Sequence, residues 1–287
     1  MSELALDTPA PATLWQRFTR KSLPLLALGF LVILATVCFL SPWISPYDYK
    51  SQNLLLGPTS PSAEHWFGTD LLGRDLLSRV LQGGLISITV GLIATLVALF
   101  VGVIYGIVAA ELGGRFEDLS MRVIDIISTL PLTLIVVLCT VVFGQNIWLI
   151  FLAVGGVSWL TMARIICTKT RQLKSRQFVD ASVALGQSRF GIILHHYLPN
   201  LAGTIAVYAT LTIPNVLMLE AFVSFLGLGV KAPMTSWGLL IKEGTDVMEQ
   251  CPWLLIIPAT TFALSLLSLS YLGDGLRDAF DPRSNKN

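Results

Sequence analysis

Charge is scarce in this chain. Only 13% of its 287 residues are Asp, Glu, Lys or Arg, whereas 54% are hydrophobic; soluble domains carry about 25% charged residues, so the balance points to a membrane protein. The formal net charge of +1 offers no field for nucleic acid. Cysteine is sparse too: Cys38, Cys139, Cys167 and Cys251 lie in or beside apolar runs without any Cys-x-x-Cys pair. Buried free thiols are therefore expected, rather than a metal or redox framework. The three histidines form no H-E-x-x-H, and His195 and His196, neighbours on a helix, point about 100° apart. His65 near Asp70 and Asp75 is weak evidence for a metal. No G-x-x-x-x-G-K-[ST] occurs, so the chain has no phosphate-binding loop with which to hydrolyse ATP. No G-x-S-x-G turn supports a serine hydrolase. No cleavable signal is expected, because the first apolar run is too long for a signal-peptide core and no small-residue cleavage site follows it.

What is present is a series of apolar runs near 23–42, 85–110, 122–143, 147–167, 202–223 and 252–273. Each approaches the roughly 20 residues that a membrane crossing needs. Six spans would place both termini on one side. Fourteen of the 19 Lys and Arg residues fall in segments 1–22, 111–122, 164–201 and 274–287, and five in 43–84 and 224–251. The positive-inside rule makes the first set cytoplasmic. Residues 1–12 read as disordered, and Trp15, Arg17, Phe18, Arg20 and Lys21 suit either a segment lying on an anionic membrane face or a solvated lead-in.

Within the spans, Ala94, Ala98, Gly102, Gly106 and Ala110 recur every four residues and form a ridge for close helix packing. Pro131 and Pro214 are positions where a helix can kink. Asp125 sits near Arg122, where a structural ion pair is the simplest reading. Glu220 follows Thr210, Thr212 and Asn215, and either pathway lining or interhelical bonding would explain it.

Three segments outside the spans have character. Asp70, Arg74, Asp75 and Arg79, interleaved with leucines in His65 to Gly84, predict an outer amphipathic helix leading into the second span. Val223 to Gly238, with Gly227 and Gly229, predicts a re-entrant or interfacial turn covered by protein. The segment Phe178 to Asn200 is too polar to cross, yet Phe190, Ile193, Leu194, Tyr197 and Leu198 share one helical face. Gly186 suits the end of a first helix, Ser188 the N-cap of a second, and Pro199 its close. Two short helices made for docking are expected. These features fit a transport pore driven by a separate motor, a membrane scaffold, or an ion-coupled carrier; the carrier would normally show more mid-membrane charge.

The 178–200 segment resembles the EAA motif of ABC importer permeases, E-A-A-x3-G-x9-I-x-L-P: Asp180, Ala181, Ser182, Gly186, His196, Leu198 and Pro199 stand at its spacing. Asp180, Ser182 and His196 depart from the pattern in residue type. Further segments resemble the dipeptide and oligopeptide group of that family. They are HWFGTDLLGRDLLSR (His65 to Arg79), VSFLGLG (Val223 to Gly229), SWG (Ser236 to Gly238), GDGLRDAFDP (Gly273 to Pro282), and FGQNIWLIF (Phe143 to Phe151) with SWLTMARI (Ser158 to Ile165). The second permease subunit of the oligopeptide systems matches best, over about residues 13–283.

The resemblance implies an all-α membrane protein of six transmembrane helices with the type I, MetI-like importer architecture. Cytoplasmic segments 1–22 and 274–287 would flank a permease domain at 23–273, with outer segments 43–84 and 224–251 and a coupling loop at 169–201. It implies a homologous second permease as heterodimer partner, two ATPase subunits carrying the ATP and Mg2+, and an extracytoplasmic peptide-binding protein. The chain itself would be no enzyme and would bind no cofactor or metal. Asp180, Ala181 and Gly186 would shape the coupling helix, Phe190, Ile193 and Leu194 would pack it, Arg171, Lys174 and Arg176 would flank it, and Ser182, Leu198 and Pro199 would complete the ATPase-coupling set. Phe67, Gly68, Asp70, Gly73, Arg74 and Asp75 form the outer-face motif. The cargo is expected to be oligopeptides, with dipeptides, glutathione, a nickel complex or antimicrobial peptides as alternatives on the same architecture.

Overall fold

Backbone in hydrocarbon has no partner but itself, and runs this apolar therefore fold as helices. The computed structural model describes residues 18–19, 21–144 and 147–280. Among these the helices are α1 (Ser22–Ile44), α2 (Leu76–Leu112), α3 (Gly114–Thr129), α4 (Leu132–Phe143) and α5 (Ile147–Lys174). They continue as α6 (Gln177–Ala184), α7 (Arg189–Phe225), α8 (Trp237–Asp246) and α9 (Trp253–Phe280). Among the described residues the only extended pairing is a single bridge between Thr69 and Asp75. Helices α1, α2, α7 and α9 are long and apolar enough to cross a membrane, and the bent pair α3–α4 makes a fifth candidate. Helix α5 covers the run predicted as the fourth span; the side chains of 147–151 lie outside the described set.

The predicted third span is not one helix. Leu130 is extended, as a residue before proline tends to be, and Pro131 starts α4 anew, so α3 and α4 meet at 81°. Pro214 behaves differently: it is buried within α7, which continues through it.

The small-residue ridge of α2 packs against α5. Ala94, Ala98 and Ala110 are buried, and a Cβ on Gly102 or Gly106 would stand 2.7 Å from Met162 Cβ or 2.6 Å from the Ala163 carbonyl. The two backbones approach closely because nothing larger stands between them. One core cluster joins Val90 and Ala94 of α2, Val136 of α4, Val154 of α5 and Val216 of α7. A second joins Cys38 of α1, Leu76 and Val80 of α2, Trp237 of α8 and Leu254 of α9. The cysteines are free, with Cys38, Cys167 and Cys251 buried.

Trp15, Arg17 and Arg20 of the basic lead-in, Gln145, Asn146 and the tail beyond Phe280 lie outside the described residues. Phe18 is 6% exposed and lies against Gly275 of α9, so it is held by protein instead of resting on a membrane surface. Lys21 Nζ donates to Asp278 Oδ2 at 2.6 Å, which fastens the start of α1 to the end of α9.

Candidate functional site

The segment between α5 and α7 forms the two helical arms that its pattern predicts. Helix α6 ends at Ala184, Gly186 turns the chain at φ +80°, and the Ser188 hydroxyl accepts from the Gly191 N–H to cap α7. The close at Pro199 is different. Residues Ile193–Tyr197 make a π turn, in which the Leu198 N–H reaches back to the Ile193 carbonyl, and the helix then runs on through Pro199. The wider turn accommodates a proline that has no N–H to donate.

That extra residue also turns the buried face. Ile192 and Tyr197, five apart, pack with Val179 of α6, Ile107 of α2, Ile166 of α5 and Leu201. Phe190 and Leu194, expected to pack the loop, are instead 69% and 43% exposed. Phe178, Val183 and Leu185 are exposed apolar side chains as well. Asp180, Ala181 and Gly186 are exposed, Pro199 is exposed, and Ile193 and Leu198 are half-buried.

Two of the departures from the motif touch each other. His196 Nε2 is 3.0 Å from Ser182 Oγ and 3.0 Å from Gln187 Oε1. The Ser182 hydroxyl donates to the Phe178 carbonyl, leaving its lone pair to accept, and the Gln187 carbonyl oxygen can only accept. A proton on His196 Nε2 satisfies both, so that the ring on α7 links Ser182 of α6 and Gln187 of the turn. The flanking cations divide: Arg171 pairs with Glu117 at 3.3 Å, whereas Lys174 Nζ turns inward and donates to the carbonyls of Glu111 (2.6 Å) and Ala110 (3.3 Å) at the end of α2. Glu111 also accepts from the Tyr197 hydroxyl at 3.1 Å. The sequence pattern did not single out Glu111; its only local signal is a carboxylate at the end of a long apolar run.

At the opposite end of α2, the predicted amphipathic helix from His65 is helical only from Leu76. The reason is local. Asp70 Oδ1 accepts from the N–H groups of Leu72 (2.9 Å) and Arg74 (3.0 Å), which competes with helix bonding. Gly68 and Gly73 have φ of +79° and +68°, and a Cβ on Gly73 would collide with the Asn53 carbonyl. Asp75 caps α2, accepting from Ser78 N at 2.8 Å, and its other oxygen lies 2.9 Å from His65 Nδ1. Asp70 Oδ2 accepts from Arg74 Nε and Arg79 Nη1, both at 2.6 Å. Arg79 also donates to Glu243 of α8 at 2.7 Å. Phe67 packs beside the α1–α2–α8–α9 cluster. The motif thus ties the loop before α2, α2 itself and α8 together, with Glu243 the partner that spacing alone did not reveal.

The Val223–Gly238 segment turns at Gly227 (φ +77°) and is covered by protein: Val230, Thr235, Ser236 and Trp237 are buried. The Trp237 indole N–H donates to the Val80 carbonyl at 3.0 Å, and a Cβ on Gly238 would meet the Ala221 backbone at 2.6 Å. Helix α8, which follows, was not foreseen.

Glu220 is 1% exposed among hydroxyls. Ser224 Oγ donates to Oε1 at 2.7 Å and Ser87 Oγ of α2 to Oε2 at 3.2 Å, while Ser87 accepts from the Trp237 N–H. It bonds between helices in this arrangement. Asn215 is exposed and donates to the Leu211 carbonyl one turn back, at 3.2 Å. Asp125 does form an ion pair, but with Arg164 of α5 at 2.6 Å and not with Arg122, because the bend sets α3 alongside α5.

This arrangement of helices is shared with a solved transporter. The solved structure titled "Inward facing conformations of the MetNI methionine ABC transporter" superposes with a TM-score of 0.59 at 12% identity, covering 72% of this chain and 98% of that one. The chain belongs to the family of binding-protein-dependent transport system inner membrane components, whose sequence model matches residues 102–286. Residues 12–58 match a second model, the N-terminal TM domain of oligopeptide transport permease C. The oligopeptide transport system permease protein OppC of Haemophilus influenzae is 43% identical over 94% of this chain and 89% of its own length. OppC of Escherichia coli K12 is 43% identical over 94% and 92%. The dipeptide transport system permease protein DppC of Bacillus subtilis is 39% identical over 94% and 84%.

Proposed function

We propose that this chain forms half of the path through which an ATP-binding-cassette importer carries oligopeptides across the bacterial cytoplasmic membrane. The observation that carries the reading is the loop at 177–200. It is a helix–glycine–helix unit anchored by Val179, Ile192 and Tyr197, with Phe178, Val183, Leu185, Phe190 and Leu194 turned outward. A rigid, half-apolar projection of this kind is a docking element. A separate ATPase would seat it, one copy on this chain and one on a homologous second permease, and ATP and Mg2+ belong to those ATPases. Asp180, Ala181, Ser182 and Gly186 shape the projection, and Leu198 and Pro199 join it to α7. A binding protein delivers cargo from the other side, where the Phe67–Asp75 motif lies.

Six spans with 23–273 as the permease domain, and cytoplasmic 1–22 and 274–287, complete the reading; the sorting of Lys and Arg supports this orientation. Closure of the ATPases then rocks the helices and opens the path alternately to each side. Glu220 acts as an interhelical tie, Asp125 as part of a surface ion pair, and Asn215 as a polar position facing outward from α7. Oligopeptides are favoured as cargo by the OppC relatives, and dipeptides are the second reading because of the DppC relative.

The test is reconstitution of the complete complex in liposomes with a radiolabelled pentapeptide. Gly186→Pro and Asp180→Lys abolish uptake and transport-linked ATP hydrolysis; native levels of both in either variant would sink the coupling role. An ion-coupled carrier would instead lose uptake when the ion gradient is collapsed at constant ATP. Competition by unlabelled dipeptide and pentapeptide separates the two cargoes.

A further inference from the structure

Resting on the coupling role of the 177–200 loop, we propose that Glu111 is the positioning residue through which movement of that loop is passed to α2. Most of what holds the loop to the bundle is apolar: Val179, Ile192 and Tyr197 against Ile107, Ile166 and Leu201. Such contacts are non-directional and tolerate sliding. Among the described residues, the side-chain hydrogen bonds and ion pairs that leave residues 177–200 for another element all end on Glu111. The Tyr197 hydroxyl donates to Glu111 Oε2 at 3.1 Å, and Arg189 Nε lies 4.0 Å from Oε1. Tyr197 is 1% exposed and the Glu111 side chain 13%, so water competes little for this bond.

The other side of Glu111 is equally built. Lys174 at the end of α5 donates to the backbone carbonyls of Ala110 and Glu111, and its Nζ lies 3.9 Å from Glu111 Oε2. It thereby satisfies carbonyls that the end of α2 leaves without helical partners. One residue therefore joins the loop, the end of α5 and the end of α2. Helix α2 is 37 residues long, about 55 Å at 1.5 Å per residue. Its far end carries Arg79, bonded to Asp70 of the outer loop and Glu243 of α8. A pull on Glu111 acts on a helix that reaches the outer motif, and the tyrosine bond fixes the direction of that pull.

The experiment is the coupling ratio, ATP hydrolysed per peptide taken up, of the complete complex in liposomes with a radiolabelled pentapeptide. Tyr197→Phe keeps the ring and its burial and removes only the donor. Its ratio rises about threefold or more while assembled complex stays at the native amount. Glu111→Ala shows a similar rise, Glu111→Gln, which keeps an acceptor oxygen, a smaller one, and the Tyr197→Phe/Glu111→Ala pair no more than Glu111→Ala alone. A native ratio in Tyr197→Phe overturns the proposal. So does a fall of uptake and ATP hydrolysis in equal proportion, which would mark Glu111 as merely structural. Gly186→Pro, measured alongside, separates the two levels. If it transports normally, the coupling reading has failed; if it does not and Tyr197→Phe does, only the role of Glu111 has failed.

Discussion

Asp70 accepts four hydrogen bonds, two from backbone N–H groups and two from guanidinium groups, and its side chain is 7% exposed. Replacing it by alanine strands Arg79, 3% exposed, and Arg74, 12% exposed, with fewer acceptors than charges require. Removing one partner of a buried ion pair costs about 3–5 kcal/mol. Arg79 keeps Glu243 at 2.7 Å, so the lower end applies. At about 2–4 °C per kcal/mol for a chain of this size, Asp70→Ala should lower the thermal midpoint by about 6–12 °C. The assay is thermal unfolding of the purified complex in lipid nanodiscs, followed by tryptophan fluorescence. Glu243→Ala is the control. Glu243 is 39% exposed, so solvent screens it and its loss costs about 1 kcal/mol or less. A midpoint for Asp70→Ala no lower than that of Glu243→Ala would refute the view that Asp70 is the centre of the network.

Gly106→Val puts a Cβ 2.6 Å from the Ala163 carbonyl and 2.9 Å from the Cys167 nitrogen, both backbone atoms. It should cut the amount of chain accumulating in membranes several-fold on immunoblots, while Gly156→Val, with nothing within 4 Å, should not. Gly186→Ala meets no atom within 4 Å but keeps φ at +80°, a strain of about 1–2 kcal/mol. It should reduce peptide uptake without lowering membrane levels of the chain. His196→Leu breaks the shared bond between Ser182 and Gln187. Hydrogen exchange measured by mass spectrometry should rise at 183–188 and stay unchanged at 202–215; equal exchange at 183–188 would show that the histidine does not hold the arms together.

Much of this molecule is legible locally. The span at 23–42 appears as α1, and 202–223 and 252–273 lie inside α7 and α9, because an apolar run in hydrocarbon has one backbone solution. The ridge Ala94–Ala110 and the turn at Gly186 were likewise readable, one from a period of four and the other from glycine's freedom at positive φ. The misreadings are local conflicts that pattern counting does not weigh. Alternating charge and leucine from Asp70 suggested a helix, yet the Asp70 side chain captures its own backbone and holds a loop. The apolar face of 190–198 fits 3.6 residues per turn in the sequence, but one π turn leaves Phe190 and Leu194 exposed and brings Ile192 inward.

Composition and run lengths by themselves pointed to a multi-span helical membrane protein with a structured loop, and the resemblance of Asp180 to Pro199 to the EAA motif added that it is an importer permease, since each rests on residues near one another in the chain. Only the tertiary structure decided which polar groups meet. Tyr197 and Glu111 are 86 residues apart, Ser87 and Glu220 133, and Arg79 and Glu243 164. A charge in a long chain has many possible partners, and the choice among them follows from how the helices cross. The same packing turned the loop from a helical pattern into an anchored unit, with Val179, Ile192 and Tyr197 buried against Ile107, Ile166 and Leu201, Tyr197 bonded to Glu111, and Phe190 and Leu194 left exposed.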